Sequence, residues 1–207
     1  MSLQSMLDEP GTGIEEIASW LDGLDHGGRT QAAFSLDRAG QRAMYERAAA
    51  GPAITLDHFV PDGVPDRTPV IHHGRNTLPL PASQKLFQKR FSRPQSDDAW
   101  CGRGLYGYNE APTRRLIGPG YFVAMPTPDH PDWEARGAVV VDYFQVPAGA
   151  VPAGWPPVVP NSRGLQFFVY NKTRDFMRRV SRHVSIGAAF KKEKALGHFF
   201  VLVREQG

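Results

Sequence analysis

From Ser83 onward, short runs of alternating apolar and polar residues are separated by clusters of turn-forming residues. A period of two is typical of β-strands, whose successive side chains point to opposite faces. The predicted strands are Gln84–Phe91, Ala99–Tyr108, Gly120–Met125, Ala138–Val146, Leu165–Tyr170, Phe176–Val180, Val184–Phe190 and Gly197–Arg204. No long helix separates them, so parallel crossovers are excluded. The pattern predicts an antiparallel meander, which loses its exposed edges by closing into a barrel or half-barrel.

The residues before Ser83 follow a different pattern. Gly13–Asp22 and Arg29–Ala50 carry apolar side chains at helical spacing and predict a helical hairpin that clasps the sheet. Residues 53–82 are rich in Pro, Gly and Asp but contain apolar side chains that need burial, so an ordered wrapping loop is predicted. The predicted fold class is therefore α+β. A clasp over 1–52 and the loop join a barrel over 83–207 in one cooperative unit.

Composition sets the broad class of protein. Hydrophobic residues make up 41% and charged residues 22% of the 207 positions, as in ordinary globular chains. The apolar runs are too short to span a bilayer, and the N-terminus lacks the basic start and apolar stretch of a secretion signal. Cys101 is the only cysteine, which fits a reducing compartment. These features predict a cytoplasmic protein with no membrane span.

The charge is unevenly distributed along the chain. Residues 1–50 carry four basic and eight acidic side chains, whereas residues 161–207 carry ten basic and three acidic ones. A basic C-terminal part can meet nucleic acid or an anionic ligand. Contact with the acidic N-terminal part, or solvation of both parts, explains the same pattern and is favoured. Because the overall net charge is only +3, no nucleic-acid partner is predicted.

Alternation also assigns side chains to the two faces of each strand. Phe87, Lys89 and Phe91 share one face, which should be interior because it is aromatic. In the next strand the aromatic residues share a face with two glycines, which leave space for a ligand or mark a bend. The predicted lining of this second strand is Trp100, Tyr106 and Tyr108.

Several charged side chains are also expected inside. They are Lys89, Asp142 and one of Arg178 or Arg179. A buried charge is costly unless it is paired. Two interpretations stay open at this point: an internal ion pair that only holds the barrel together, and a cavity in which one cation is left to meet a ligand carboxylate or phosphate.

The segment Val70–Asn76 has the highest density of potentially functional side chains. It is interpreted either as the lining of a functional mouth, through His72, His73, Arg75 and Asn76, or as a structural turn. Adjacent histidines in an extended segment point in opposite directions, and the chain has no HExxH and no paired CxxC. No cofactor and no metal site are therefore predicted. Haem or a metal held through His72, His73, His183 or His198 remains the alternative.

Several short segments resemble lipocalin-like barrels of the uncharacterised GXWXG type. They are Phe87–Phe91, Val169–Asn171, Asp175–Val180, Ile186-Gly187 and Phe199–Arg204. They are similar to the Lys-Arg-Phe strand, the tyrosine strand, the Asp…Arg strand and the Phe-rich closing strand of those barrels. The resemblance implies a barrel that holds a small apolar or amphipathic ligand. It implies no catalytic residue, because the family has no established reaction.

Three functions are compatible with these patterns. The first is binding of a small hydrophobic or amphipathic molecule among the predicted aromatic residues, with an anionic end near Lys89 or an arginine. The second is acid–base catalysis of the cyclase or isomerase kind. Its candidate bases are Asp142 and Asp175, and its candidate acids are Tyr108, Tyr143 and Tyr170. The third is a protein-interaction module using the helices and Pro147–Pro160, which leaves a protein partner or a homo-oligomer open.

Overall fold

The alternating segments fold into a closed barrel in a computed structural model, which describes residues 1–205. Its strands are β1 Val70–Asn76, β2 Leu86–Ser92, β3 Leu105–Glu110, β4 Phe122–Pro126, β5 Val139–Asp142, β6 Thr173–Arg179, β7 Val184–Lys191 and β8 Lys194–Arg204. Each strand pairs antiparallel with the next, and β8 pairs with β1 to close the sheet. The predicted α+β fold with an antiparallel barrel is confirmed. Residues 206 and 207 of the predicted barrel segment lie outside the described residues.

Two predicted boundaries differ from the structure in a way that matters for the site. β1 lies within 53–82, so this segment supplies a strand as well as a loop. The predicted strand Leu165–Tyr170 is wrong, because this segment contains the short helix α8, Gln166–Val169. The apolar run of α8 remains largely exposed, which is why a buried strand was the wrong interpretation.

The N-terminal clasp consists of four helices: α1 Leu3–Asp8, α2 Ile14–Asp22, α3 His26–Ser35 and α4 Arg38–Arg47. The second predicted helix is interrupted at Asp37, whose side chain accepts a hydrogen bond from the Gly40 amide at 2.8 Å and so begins a new helix. The apolar faces of the helices pack on the outside of β7 and β8. The clasp therefore covers the outer face of β7 and β8 and leaves both ends of the barrel to other segments.

Different segments cover the two ends of the barrel. We call the upper end the one that carries the β1–β2, β3–β4, β5–β6 and β7–β8 connections. The lower end is plugged by α5, Leu56–Phe59, with Phe59 fully buried against the interior. Residues 143–172, between β5 and β6, form the cover segment of the upper end and include α8. The remaining short helices are α6, Arg114–Ile117, and α7, Pro131–Glu134.

Candidate ligand site inside the barrel

Aromatic rings fill the middle of the barrel because small residues face them. A Cβ atom added to Gly107 would lie 2.4 Å from the ring of Phe122, and one added to Gly187 would lie 2.3 Å from the ring of Phe200. These contacts are shorter than any side chain tolerates, so glycine at both positions gives the rings their space. We call this filled apolar interior, which has one polar wall, the chamber.

Lys89 of β2 is the centre of that polar wall. Its side chain is 2% exposed. The ammonium donates hydrogen bonds to the side-chain oxygen of Asn109, at 3.0 Å, and to the hydroxyl of Tyr143. Its Nζ atom lies 3.1 Å from Oδ2 of Asp175. All three ammonium donors are therefore directed at oxygen atoms from three other strands or their ends.

Aromatic faces surround the same ammonium. The Lys89 Nζ atom lies 4.9 Å from the ring centre of Phe122 and 5.0 Å from those of Tyr143 and Phe200. A cation over a ring face is attracted by the ring quadrupole, and the attraction is stronger where water is absent. The rings therefore offset part of the cost of removing the Lys89 cation from water.

Burial shifts the proton affinities in this cluster, which we call the Lys89 cluster: Lys89, Asn109, Tyr143 and Asp175. Desolvation lowers the pKa of Lys89, and the nearby Asp175 carboxylate partly opposes that shift. Desolvation raises the pKa of Asp175, opposed by Lys89 and by the Tyr143 hydroxyl. The proton affinities of an acid and a base in contact are thereby moved towards each other, as is common at functional sites.

The cover segment closes directly over this cluster. The ring of Tyr170 stacks on that of Tyr143, with centres 5.2 Å apart and planes 20° apart. Gln166 accepts a hydrogen bond from the Gly120 amide at 2.9 Å. Asn161 donates to the backbone oxygens of Tyr121 and Tyr143 at 2.7 and 2.8 Å. Side chains of a connection, and not of a strand, therefore separate the cluster from the upper end.

The structure brings together three of the five candidate acid–base residues, namely Asp175, Tyr143 and Tyr170. Asp142 does not join them, which corrects the prediction that it faces the interior. It lies on the outside of β5, where Oδ2 is 3.3 Å from Nε of Arg174. Successive strand residues alternate, and Tyr143 takes the inward position beside it. The partner of Lys89 is therefore Asp175.

The aromatic lining predicted from β3 is also corrected. Tyr106 and Tyr108 lie on the outer face, since Leu105, Gly107 and Asn109 take the inward positions. The Tyr106 hydroxyl donates to Asp98 at 2.7 Å.

The ring of Tyr108 contacts Trp155, with ring centres 4.9 Å apart. Because the 147–160 connection covers this outer face, both faces of β3 are apolar, and an aromatic face no longer indicates the inside. Trp100 precedes the strand, in a turn.

Among the remaining predicted ligand residues, Phe87 lies beside the Lys89 cluster, with its ring centre 5.9 Å from the Lys89 Nζ atom. Phe87 and Phe91 are interior, as the alternation predicts, with Phe91 against the lower plug. Arg178 points outward and donates to the backbone oxygens of Tyr45 and Ala135, which ties α4 to the barrel. Arg179 donates to the Ser181 oxygen at the lower end.

The β1 residues do not form one mouth. His72 is buried inside the lower half, whereas His73 lies on the outside, 3.9 Å from Glu205. The backbone oxygen of Arg75 accepts a hydrogen bond from Gln41 of the clasp. The side chain of Asn76 accepts one from the Leu78 amide, as in a turn.

No metal site follows from the histidines. Within residues 1–205, no group of three or more His, Cys, Asp or Glu side chains is arranged to hold a metal ion. His183 lies beside Arg204 at the lower end, and His198 lies in the upper part of β8.

Burial of His72 should make the free energy of unfolding depend on pH. Its Nε2 lies 2.9 Å from the Phe59 backbone oxygen, and burial lowers its pKa to about 3. Because the folded-state pKa is depressed, the unfolded chain takes up the proton first. The contribution of neutral His72 to the free energy of unfolding is therefore fully present above the unfolded pKa, near 6.5. It is lost as the pH falls towards 3.

Urea denaturation should therefore show a loss of about 1.6 kcal/mol from His72 between pH 6.5 and pH 5. The variant His72→Phe removes the titrating group. As the pH falls below 6.5, the unfolding free energy of the variant should decrease less steeply than that of the wild type. The difference between the two slopes should be about 1.4 kcal/mol per pH unit. Equal slopes in the two proteins would contradict a neutral buried His72.

Two cavities of the structure lie outside the barrel. One of about 430 Å³ lies between α4 and the β7–β8 strands and includes Arg38, Arg42 and Tyr45 in its wall. The other, of about 730 Å³, lies at the lower rim beside Val70, Ile71 and Arg204. A ligand test must therefore distinguish these surface cavities from the interior.

The fold and site define the class of this protein as an eight-stranded up-and-down β-barrel with a buried lysine–aspartate pair. No family model, curated protein or solved structure matches the chain. Among the described residues, none of the helices is long and apolar enough to cross a membrane.

Proposed function

We propose that the barrel binds a small amphipathic molecule, with an anionic or strongly polar end at the Lys89 cluster and an apolar part among the interior rings. One observation carries the proposal: a fully buried ammonium at the wall of an apolar chamber, directly beneath a side chain of the cover segment. Polar groups that converge in an apolar interior are the usual design of small-molecule sites. The resemblance to GXWXG-type barrels supports the same function.

A purely structural role accounts less well for this arrangement. An ion pair in a barrel interior is often no more stable than well-packed apolar residues of similar volume. Here the surrounding positions are already apolar, and burying the pair adds a desolvation cost. A ligand anion that displaced the Asp175 carboxylate would recover that cost by accepting hydrogen bonds from the Lys89 ammonium and the Tyr143 hydroxyl, both of which are directed at Asp175.

Entry of a ligand requires the cover segment to move. The rings fill the chamber, so the ligand takes the place of Tyr170 above Tyr143. Tyr170 is followed by Lys172, a residue with φ of +60°, just before β6 begins. Moving Tyr170 would leave the strand pairings of β6 intact, because β6 begins only at Thr173, but it would break the hydrogen bonds that Gln166 and Asn161 make to the backbone.

The test uses the fluorescent amphipathic anion 1-anilinonaphthalene-8-sulfonate. We expect the double variant Lys89→Met/Asp175→Leu to bind it at least about tenfold more weakly than the wild type, because a charge-assisted hydrogen bond contributes about 1.5–3 kcal/mol. Replacing both partners keeps the interior apolar and leaves no unpaired charge. Fluorescence titration at pH 7 gives the dissociation constants.

The matched control is Arg38→Gln/Arg42→Gln, which removes two cations from the wall of the outer cavity between α4 and the sheet. This variant should bind the dye as the wild type does. If the control loses binding and the interior variant keeps it, the dye occupies the surface cavity and the proposal fails. Native mass spectrometry of the purified protein provides a second check through retained small molecules.

A second candidate function is acid–base catalysis in the same chamber. It is favoured by the convergence of Asp175 with the Tyr143 hydroxyl, whose atoms are 3.2 Å apart, beside an ammonium that can stabilise a developing negative charge. The test is whether a molecule retained by the wild type is chemically changed on incubation and is left unchanged by Asp175→Asn. Unaltered turnover by that variant would exclude Asp175 as the base.

A further inference from the structure

Exposed apolar side chains are concentrated at one end of the molecule. Ten large hydrophobic residues are exposed among residues 1–205, and nine of them lie on upper-end connections or at the strand ends beside them. They are Leu80, Leu86, Leu116, Phe144, Leu165, Phe167, Phe168, Val169 and Leu196. Phe168 is 73% exposed and Leu116 is 72% exposed. Scattered exposed apolar residues need no explanation, but such a concentration marks an interaction surface.

Basic side chains lie on the same upper-end connections and strand ends as these apolar residues. Five arginines and lysines at the upper end are exposed: Arg115, Arg163, Lys172, Lys192 and Lys194. Lys191 is partly buried and donates a hydrogen bond to the backbone oxygen of Phe168 at 3.0 Å, which places the β7–β8 hairpin beside α8. The backbone of Lys192 bonds to that of Lys172 at 3.1 Å. The apolar side chains of α8 and the basic side chains of the β7–β8 hairpin therefore lie side by side on one face.

The acidic side chains at this end are neutralised by arginines. Glu110 pairs with Arg114 at 2.7 Å, and Asp142 pairs with Arg174. Glu193 pairs with both Arg136 and Arg174. The exposed charge of the upper end is consequently positive, and its apolar centre has a cationic rim.

We propose that the upper end of the barrel docks on the surface of an anionic lipid bilayer. The aromatic side chains of α8 enter the headgroup boundary, and the surrounding lysines and arginines meet the lipid phosphates. Charge decides between a bilayer and a second copy of this chain, since two cationic rims placed face to face repel each other. The inference does not depend on the ligand proposed above, although both place function at the same end of the barrel.

The first experiment is co-sedimentation of the full chain with vesicles. Binding is expected to vesicles of equal parts phosphatidylcholine and phosphatidylglycerol, to be weaker at high salt, and to be lost on pure phosphatidylcholine. Removing three charges in Lys172→Gln/Lys192→Gln/Lys194→Gln should weaken binding about 100-fold, at roughly fivefold per charge. The matched variant Arg67→Gln/Arg103→Gln/Arg182→Gln removes three exposed charges at the lower end and should bind as the wild type does.

A second experiment uses the single cysteine as a built-in control. Cys101 is exposed on the β2–β3 connection, at the lower end. A nitrobenzoxadiazole label on Cys101 should keep its emission when the anionic vesicles are added. The same label in Cys101→Ser/Phe168→Cys should shift to the blue, because position 168 enters the bilayer boundary.

The variant Phe167→Ser/Phe168→Ser should keep its thermal stability, because both rings are exposed, and should lose at least about tenfold in vesicle binding. Equal binding of the wild type to neutral and anionic vesicles would overturn the proposal. So would a dimer, measured by light scattering, that Phe167→Ser/Phe168→Ser converts to a monomer, because a second copy would then cover this face.

Discussion

The variant Lys89→Met should lower the free energy of unfolding by about 3–5 kcal/mol at pH 7, as expected when one partner of a buried ion pair is removed. The substitution leaves the Asp175 carboxylate in the barrel without its ammonium, while Tyr143 still donates to it at 3.2 Å. Guanidinium denaturation followed by circular dichroism measures the change.

The pH dependence of this variant provides a second readout. Without Lys89, burial holds the pKa of Asp175 even further above its unfolded value. A raised carboxyl pKa gives stability that is present below the unfolded pKa, near 4, and lost as the pH rises. The deficit of Lys89→Met should therefore be smaller at pH 5 than at pH 7.

The double variant Lys89→Met/Asp175→Leu is the control for unpaired charge. It should recover most of the lost stability, because the interior is then uniformly apolar. A Lys89→Met protein within about 1 kcal/mol of the wild type would show that the pair is solvated or absent. A double variant as unstable as the single one would show that the loss comes from the shape of the methionine and not from charge.

The variant Gly107→Ala should cost about 3 kcal/mol, at the upper end of the usual range for overfilled cores. The new methyl group would lie 2.4 Å from the Phe122 ring and 2.6 Å from the Arg90 backbone oxygen. A ring can turn aside, but the backbone of β2 is fixed by its pairing with β3. Denaturant unfolding at pH 7 measures the loss.

Alanine substitutions at two other glycines provide a comparison for this loss of stability. At Gly187 the neighbouring atoms belong to the ends of the Phe200 and Met177 side chains, so Gly187→Ala should cost less than Gly107→Ala. A methyl group added to Gly11 would meet no heavy atom within 4 Å beyond its chain neighbours, and Gly11→Ala should be close to neutral. Equal costs at Gly107 and Gly11 would mean that the interior is not filled.

Alternation could predict the barrel because most strands have one apolar inner face. It failed for β1, where His72, His73, Arg75 and Asn76 occupy both faces and conceal the period of two. It failed in the opposite sense at α8, where a run of apolar residues resembles a buried strand but lies on the surface. A period of two therefore identifies a buried strand face only where the apolar residues of the pattern are the ones that are buried.

The site was only partly predictable for a related reason. Lys89 could be placed inside because Phe87 and Phe91 share its face. Its partner could not, since the choice between Asp142 and Asp175 depends on the register of β5 and β6, and a shift of one residue exchanges the faces. Asn109 was missed altogether, because an asparagine beside a proline-rich segment is typical of a turn.

The closure between β1 and β8 has a consequence for how the chain is made. β1 joins residues 70–76 to a strand more than a hundred positions later, so the ring is completed only when β8 has been synthesised. Until then β1 and β7 each expose an unpaired edge, and the clasp helices lack their main contact surface. Nascent chains stalled before Lys194 should therefore be the species most prone to aggregation and most dependent on chaperones.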